Sequence, residues 1–282
     1  MFRSVYPGHT IRLVSMRISH ISLVKLGICT FLFCTCAVAL SCRKDVSEQA
    51  TTIDGGDEAL ARAKIVEADR LYLERQDLNK TRMGVALLRQ GRVADYGNYE
   101  AAWKLSRFLY HLGTYSEDVR ERDAAFREGT EVGKVAVELN GQRVEGHFWL
   151  GANYGGAARD SALASLANVE EIRKEMEAVL AIDHTYERGS AYMVLGQLYL
   201  EAPRLLGGDT QKAIEYLEKG LPVGGDNPLL RLRLAQAYRG DRRNGEARRQ
   251  IDFILKMKPD PNYLPEYEDA VREAKELLEK IR

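Results

Sequence analysis

Beyond residue 42 the chain has no cysteine; Cys29, Cys34, Cys36 and Cys42 are all of them. A disulfide framework or thiolate metal site in the body is thereby excluded. Histidine is almost as scarce, with only His111, His147 and His184 past that point. Neither a His-Glu-x-x-His zinc helix nor a Gly-x-Ser-x-Gly elbow occurs. Gly129 to Val135 faintly resembles a phosphate loop. It is one residue short, lacks the following Ser or Thr, and falls within a helical repeat. No enzyme constellation remains, and no cofactor or metal is expected. Charge of one sign is lacking too, at 41 basic against 41 acidic residues. The segment 1–41 holds Arg3, Arg12, Arg17 and Lys25 and no acid, leaving 37 basic against 41 acidic residues in the rest. Nothing there would attract nucleic acid, which needs a basic excess.

The first 42 residues have the one long apolar run. Leu26 to Leu40 is uncharged, follows Arg12, Arg17 and Lys25, and is too short for a comfortable membrane span. It ends Ala39-Leu40-Ser41-Cys42, which resembles the lipobox of bacterial lipoproteins. That resemblance implies cleavage before Cys42 and lipidation of its thiol. Residues 1–41 are thus expected to be a signal peptide, with Met16 a possible true start. Residues 42–57, polar and with Gly55 and Gly56, read as a flexible tether. Arg43, rather than Asp, follows the cysteine, so the expected location is the periplasmic face of the outer membrane.

From residue 58 to 282 the pattern is helical, without convincing alternation. Residues 228–261 fit one tetratricopeptide unit without a gap. With Pro228 as position 1, Leu234 and Ala235 fill positions 7 and 8, Tyr238 fills 11, Ala247 fills 20, and Ile251 and Ile254 fill 24 and 27. Pro259 closes the unit at 32. Small residues at 8 and 20 let two helices cross closely, while the larger ones fill the space around the crossing. Arg231 stands where Trp is common and is expected to matter little for stability. The closing position recurs at Gly225, His184, Gly141 and Tyr96, and the extra length is expected between the helices of each pair. His147, Leu150, Gly151 and Tyr154 define the third unit, Tyr192, Leu195, Gly196 and Tyr199 the fourth, and Ala102, Leu105, Ser106 and Leu109 the second. The first unit is weak, with Tyr72 where a small residue belongs. Pro265 to Arg282 is an amphipathic helix expected to cap the solenoid, its charges lying on a solvated face. The fold is therefore expected to be all-α: a tetratricopeptide-type solenoid of about five divergent repeats with a C-terminal capping helix.

Two runs go beyond generic repeats. Gly146-His147-Phe148-Trp149-Leu150-Gly151-Ala152-Asn153-Tyr154-Gly155 is followed by Ala167-Asn168-Val169-Glu170-Glu171-Ile172. Val194-Leu195-Gly196-Gln197-Leu198-Tyr199 is followed by Gly207-Gly208-Asp209. Over roughly residues 58–262 these resemble the T-component (TatT) family of TRAP transporters. The resemblance implies a periplasmic lipoprotein working beside a substrate-binding P component, with a small organic ligand. It brings no catalytic motif. A scaffold for envelope or secretion complexes is the alternative role.

Positions 5, 9 and 12 of each first helix lie beside the packing stripe, because i, i+4 and i+7 share a face. They are Trp103, Arg107 and Tyr110; Phe148, Ala152 and Gly155; Met193, Gln197 and Leu200; Leu232, Gln236 and Arg239. The groove residues expected to meet a ligand or partner are Trp103, Arg107, Tyr110, Phe148, Met193 and Gln197. Aromatic walls beside Arg107 would suit an amphipathic ligand with an acidic head.

Overall fold

The computed structural model describes residues 56–158 and 162–281, with backbone alone for 158 and 162–167. The leader, Cys42 and nearly all of the tether lie outside the described residues. Within them all regular structure is helical, in the order α1 Glu58–Tyr72, α2 Leu78–Ala94, α3 Tyr99–Tyr115, α4 Val119–Leu139, α5 Val144–Ala158, α6 Ala162–Asp183, α7 Tyr186–Glu201, α8 Thr210–Gly224, α9 Pro228–Gly240, α10 Asn244–Lys256 and α11 Leu264–Glu279. Short 3₁₀ turns at Arg204–Leu206 and Pro261–Tyr263 precede α8 and α11.

The sequence starts these helices with short polar side chains. Asp57, Asn98 and Asn227 accept hydrogen bonds from Leu60, Ala101 and Leu230 N–H. Asp77, Asp118 and Asp209 do the same for Asn79, Arg120 and Gln211. Each cap satisfies amide donors that the helix leaves orphaned. Pro228, at the first position of α9, has no amide hydrogen to lose.

Consecutive helices pair into five hairpins, and the first helices of successive hairpins also touch, α1 on α3, α3 on α5, α5 on α7 and α7 on α9. This is the stacking of a helical-hairpin solenoid. Tyr96, Gly141, His184, Gly225 and Pro259 all fall between one hairpin and the next element. The crossings are as close as the small residues require. A side chain at Gly151 would collide with Met176, and one at Gly196 with Leu217. In the last hairpin Leu234, Ala235, Ala247, Ile251 and Ile254 have no exposed surface. The apolar core runs along the solenoid as three clusters, one in the first two repeats, one reaching from the second to the fourth, and one from the fourth to α11.

Three details depart from the sequence reading. The extra length of the second and third repeats lengthens the helices themselves: α4 has 21 residues and α6 has 22. α3 and α4 are separated only by Ser116, Glu117 and Asp118. In the first repeat the small-residue positions are Ala61 and Ala68, both fully buried, and a Cβ added at Gly91 would lie 3.5 Å from the Ala61 carbonyl oxygen. Tyr72 ends α1 instead of occupying a crossing. Arg231 is also no bystander. Its guanidinium lies 3.4 Å from the Phe253 ring centroid, donates to the Gly225 carbonyl, and donates to Gln250 Oε1 at 2.7 Å. A planar cation fills the aromatic position by stacking.

Helix α11 does more than cap. Ala270, Ala274 and Leu277, with Ile281 just past its end, bury one face against α9 and α10. Its other face meets the start of the solenoid. Arg75, in the turn after α1, donates to the Asn262 carbonyl and pairs with Glu266 at 3.2 Å. Tyr115 at the end of α3 donates to Asp269 Oδ2 at 3.0 Å. The solenoid curls until its last helix touches its first two repeats.

Candidate ligand cavity

Where α11 crosses the concave side, a cavity of about 400 Å³ remains between it and the first helices of the repeats. Volumes of this order hold small organic molecules. Its middle is apolar. Phe148, Trp149, Ala152 and Gly155 of α5 face Met193 and Val194 of α7 across it, with Tyr110 of α3 beside them. The rings lock one another: Phe148 and Trp149 meet edge to face at 5.0 Å, Phe148 and Tyr186 at 5.3 Å, and Tyr110 and Trp149 lie 5.7 Å apart. Such pairs add specific geometry to apolar burial. A side chain at Gly155 would point into open space.

One end is polar and built from segments far apart in sequence. Tyr72, His111 and Tyr115 come from the first two repeats, Glu187 and Arg188 from the start of α7, and Tyr263, Glu266 and Asp269 from the last helix and the turn before it. His111 Nε2 lies 2.9 Å from the Arg75 carbonyl oxygen, which can only accept, so this nitrogen carries the proton. Burial drives the imidazole pKa down to about 4, leaving His111 neutral at pH 7. The Tyr72 phenol is pushed up to about 12 by burial, partly opposed by Arg107 and Arg75.

Glu187 sits on unusual backbone. Glu187, Arg188 and Gly189 have φ of 46°, 56° and 72°, three left-handed residues in succession. For the two non-glycines this costs roughly 1–3 kcal/mol each and needs support from neighbours. Ser190 Oγ donates to the Glu187 carbonyl at 2.6 Å, and Asn227 Nδ2 donates to the Arg188 carbonyl at 3.3 Å. The Arg188 guanidinium pairs with Asp226 at 3.0 Å and lies 4.8 Å from the Tyr263 ring centroid. The Glu187 carboxylate accepts from Tyr263 Oη at 3.1 Å. Burial raises the Glu187 pKa, against the lowering effects of Tyr263 and the more distant Arg107 and Arg75.

Of the six groove residues read from sequence, Tyr110, Phe148, Met193 and Gln197 line the cavity, and Ala152 and Gly155 of the same stripe join them. Trp103 and Arg107 lie apart from its lining. Arg107 is held 3.7 Å from the Tyr72 ring centroid and 4.9 Å from that of Trp103, and pairs with Asp69 at 3.3 Å. Its charge is thus met inside the first two repeats, which removes the acidic-head argument. In the fifth repeat the stripe, Leu232 and Gln236, is covered by α11: Leu232 is fully buried and Gln236 donates to Glu273.

The lining that sequence reasoning missed is Tyr72, His111, Tyr115, Glu187 and the acids of α11. Two signals were present. Glu266, Asp269 and Glu273 recur at i, i+3 and i+7, a stripe beside the apolar one. The fourth unit also begins at Gly189, two residues later after its closing position than the others, and those two added residues are Glu187 and Arg188.

Among the described residues no group of three His, Cys, Asp or Glu side chains could hold a metal ion. None of the described helices is long and apolar enough to cross a membrane.

Hairpin stacking and a concave inner wall define a tetratricopeptide-type helical-repeat protein. A thermophilic tetratricopeptide protein of Thermus thermophilus superposes with a TM-score of 0.55 at 20% identity, over 75% of this chain and 99% of that one. A MamA structure aligns with a TM-score of 0.47 at 17% identity, over 76% and 94%. The chain belongs to the family described as Regulator of microtubule dynamics protein 1-3, which it matches over residues 65–282. No curated protein matches it.

Proposed function

We propose that the protein is a lipid-anchored binding protein, not an enzyme, that holds a small organic ligand in the cavity beneath α11. We further propose that it serves a TRAP-type solute transporter as a T-component-like accessory, beside a substrate-binding P component. The observation that carries the ligand reading is the cavity itself, with aromatic walls, a polar end, and room at Gly155 for a side chain that is not there. The transporter role rests on the two resembling runs, which supply Phe148, Trp149, Ala152, Gly155, Val194 and Gln197 to the cavity lining. The anchor rests on Leu26 to Leu40 and Cys42, with the periplasmic face of the outer membrane as its location.

The test is purification from the native envelope in mild detergent. A P component or TRAP permease is expected among the co-purifying proteins, and Cys42→Ala is expected to abolish incorporation of radioactive palmitate. Equal labelling of the variant would remove the anchor from the proposal. Co-purification of only secretion or outer-membrane assembly proteins would remove the transporter.

A second reading is a scaffold that binds only protein. It is favoured by the family match, since the family is named for regulation of a protein polymer. Filling the cavity separates the two: Gly155→Trp abolishes function if a ligand occupies it and leaves a scaffold's partners bound.

A further inference from the structure

We infer that the ligand is an organic cation, an amine or quaternary ammonium on an apolar body, whose charged head sits against Glu187. This rests on the cavity being a ligand site and adds the chemical class. The charges of the lining point one way. Among the described residues Glu187, Glu201, Glu266, Asp269 and Glu273 line the cavity with Arg188 and Arg233. Both arginines are already engaged, Arg188 by Asp226 and Asp260 and Arg233 by Glu273 at 3.0 Å. Among these described residues an anionic head would find no free cation and several carboxylates.

At the polar end, every neighbouring charge but one is matched. Arg75 pairs with Glu266, and Arg107 with Asp69. Asp269 takes Arg272 at 2.6 Å and the Tyr115 hydroxyl. His111 is neutral. Glu187 alone has a phenol and no cation within ion-pair distance among the described residues. A half-buried carboxylate with no ion-pair partner of its own leaves its charge incompletely met, and here it is held by a turn of three left-handed residues. A ligand ammonium would supply that counter-charge. The apolar body would run on from it along Phe148, Trp149 and Met193, where π-faces also favour a cation. The aromatic wall therefore serves both parts of such a molecule.

The probes are octyltrimethylammonium and octanoate, matched in chain length and opposite in charge, titrated calorimetrically into the protein freed of bound molecules by partial unfolding and refolding. Octyltrimethylammonium is expected to bind at least tenfold more tightly than octanoate. Glu187→Gln is expected to lose at least tenfold in affinity for the cation with unchanged circular dichroism, and Glu187→Asp to retain part of it. Gly155→Trp is expected to abolish binding. Octanoate binding as tightly as the cation, or Glu187→Gln binding the cation undiminished, overturns the inference. If Gly155→Trp still blocks binding in that case, the cavity remains a ligand site of another class. Binding of neither probe at millimolar concentration overturns both.

Discussion

Arg231 shows how one residue can occupy a repeat position by a different chemistry. Where the pattern usually has an indole, a guanidinium stacks on Phe253 and ties helix α9 to the Gly225 carbonyl and to Gln250 of α10. Arg231→Ala should therefore destabilise the protein by about 1.5–3 kcal/mol, the range for hydrogen bonds to a charged group. Equilibrium denaturation with urea measures it; a midpoint unchanged from the parent would mean that the stack carries no energy. His147 offers a pH signature. Its Nδ1 lies 2.6 Å from the buried Glu175 carboxylate and its Nε2 3.0 Å from the Gly141 carbonyl. The Glu175 hydrogen bond raises the imidazole pKa despite burial. The folded state thus holds its proton more tightly than the unfolded one. The associated stability is fully present below the ordinary value near 6.5 and is lost as pH rises through the raised folded value. Glu175→Gln should flatten this dependence in thermal melts recorded between pH 5 and pH 9. A slope that persists in the variant would place its origin elsewhere.

At the scale of helices, the repeats are legible because close crossings leave a periodic mark. Position 8 must be small wherever two helices touch backbone to backbone, so Gly151, Gly196 and Ala235 can be read directly. Helix lengths cannot. Whether extra residues form a loop or extend a helix depends on what they pack against, and α4 and α6 are extended by burying Phe126 and Val169 at their added turns. The first repeat misleads for a related reason. Its crossing uses Ala61 and Ala68, and Tyr72, which falls where the repeat pattern wants a small residue, ends the helix instead. Ala247→Leu tests the close crossing in the last repeat. Ala247 is fully buried, and overpacking of this kind costs about 1–3 kcal/mol. A variant with the parent's stability would show that α9 and α10 have slack at that point. The acids of α11 are the harder case. A charged stripe beside an apolar one reads as a solvated face, and only the curl of the chain turns Glu266 and Asp269 inward.

The whole molecule adds what no single repeat contains, a return contact between the end of the chain and its beginning. Arg75, only 5% exposed, is the centre of that clasp. Arg75→Ala should leave Glu266 without its cation and loosen the start of α11. Faster amide hydrogen exchange is expected in residues 261–269, while the α9–α10 hairpin keeps its protection. Uniform exchange rates in the parent and the variant would mean that α11 is held by its apolar face alone. Four of the six groove residues read from sequence line the cavity because a stripe on stacked helices stays on one wall. The polar end was marked in the sequence only by the acids of α11 and the two added residues Glu187 and Arg188, since Tyr72, Glu187 and Tyr263 approach one another only through the superhelical turn.

The central claim is that the space under α11 is a binding site, and native mass spectrometry of protein isolated gently from its native cells tests it most directly. The parent should carry a small molecule of defined mass that is released on unfolding, and Gly155→Trp, folded to the same helical content, should be bare. A parent protein that flies at its bare mass, or a Gly155→Trp variant that keeps the same adduct, would contradict the account.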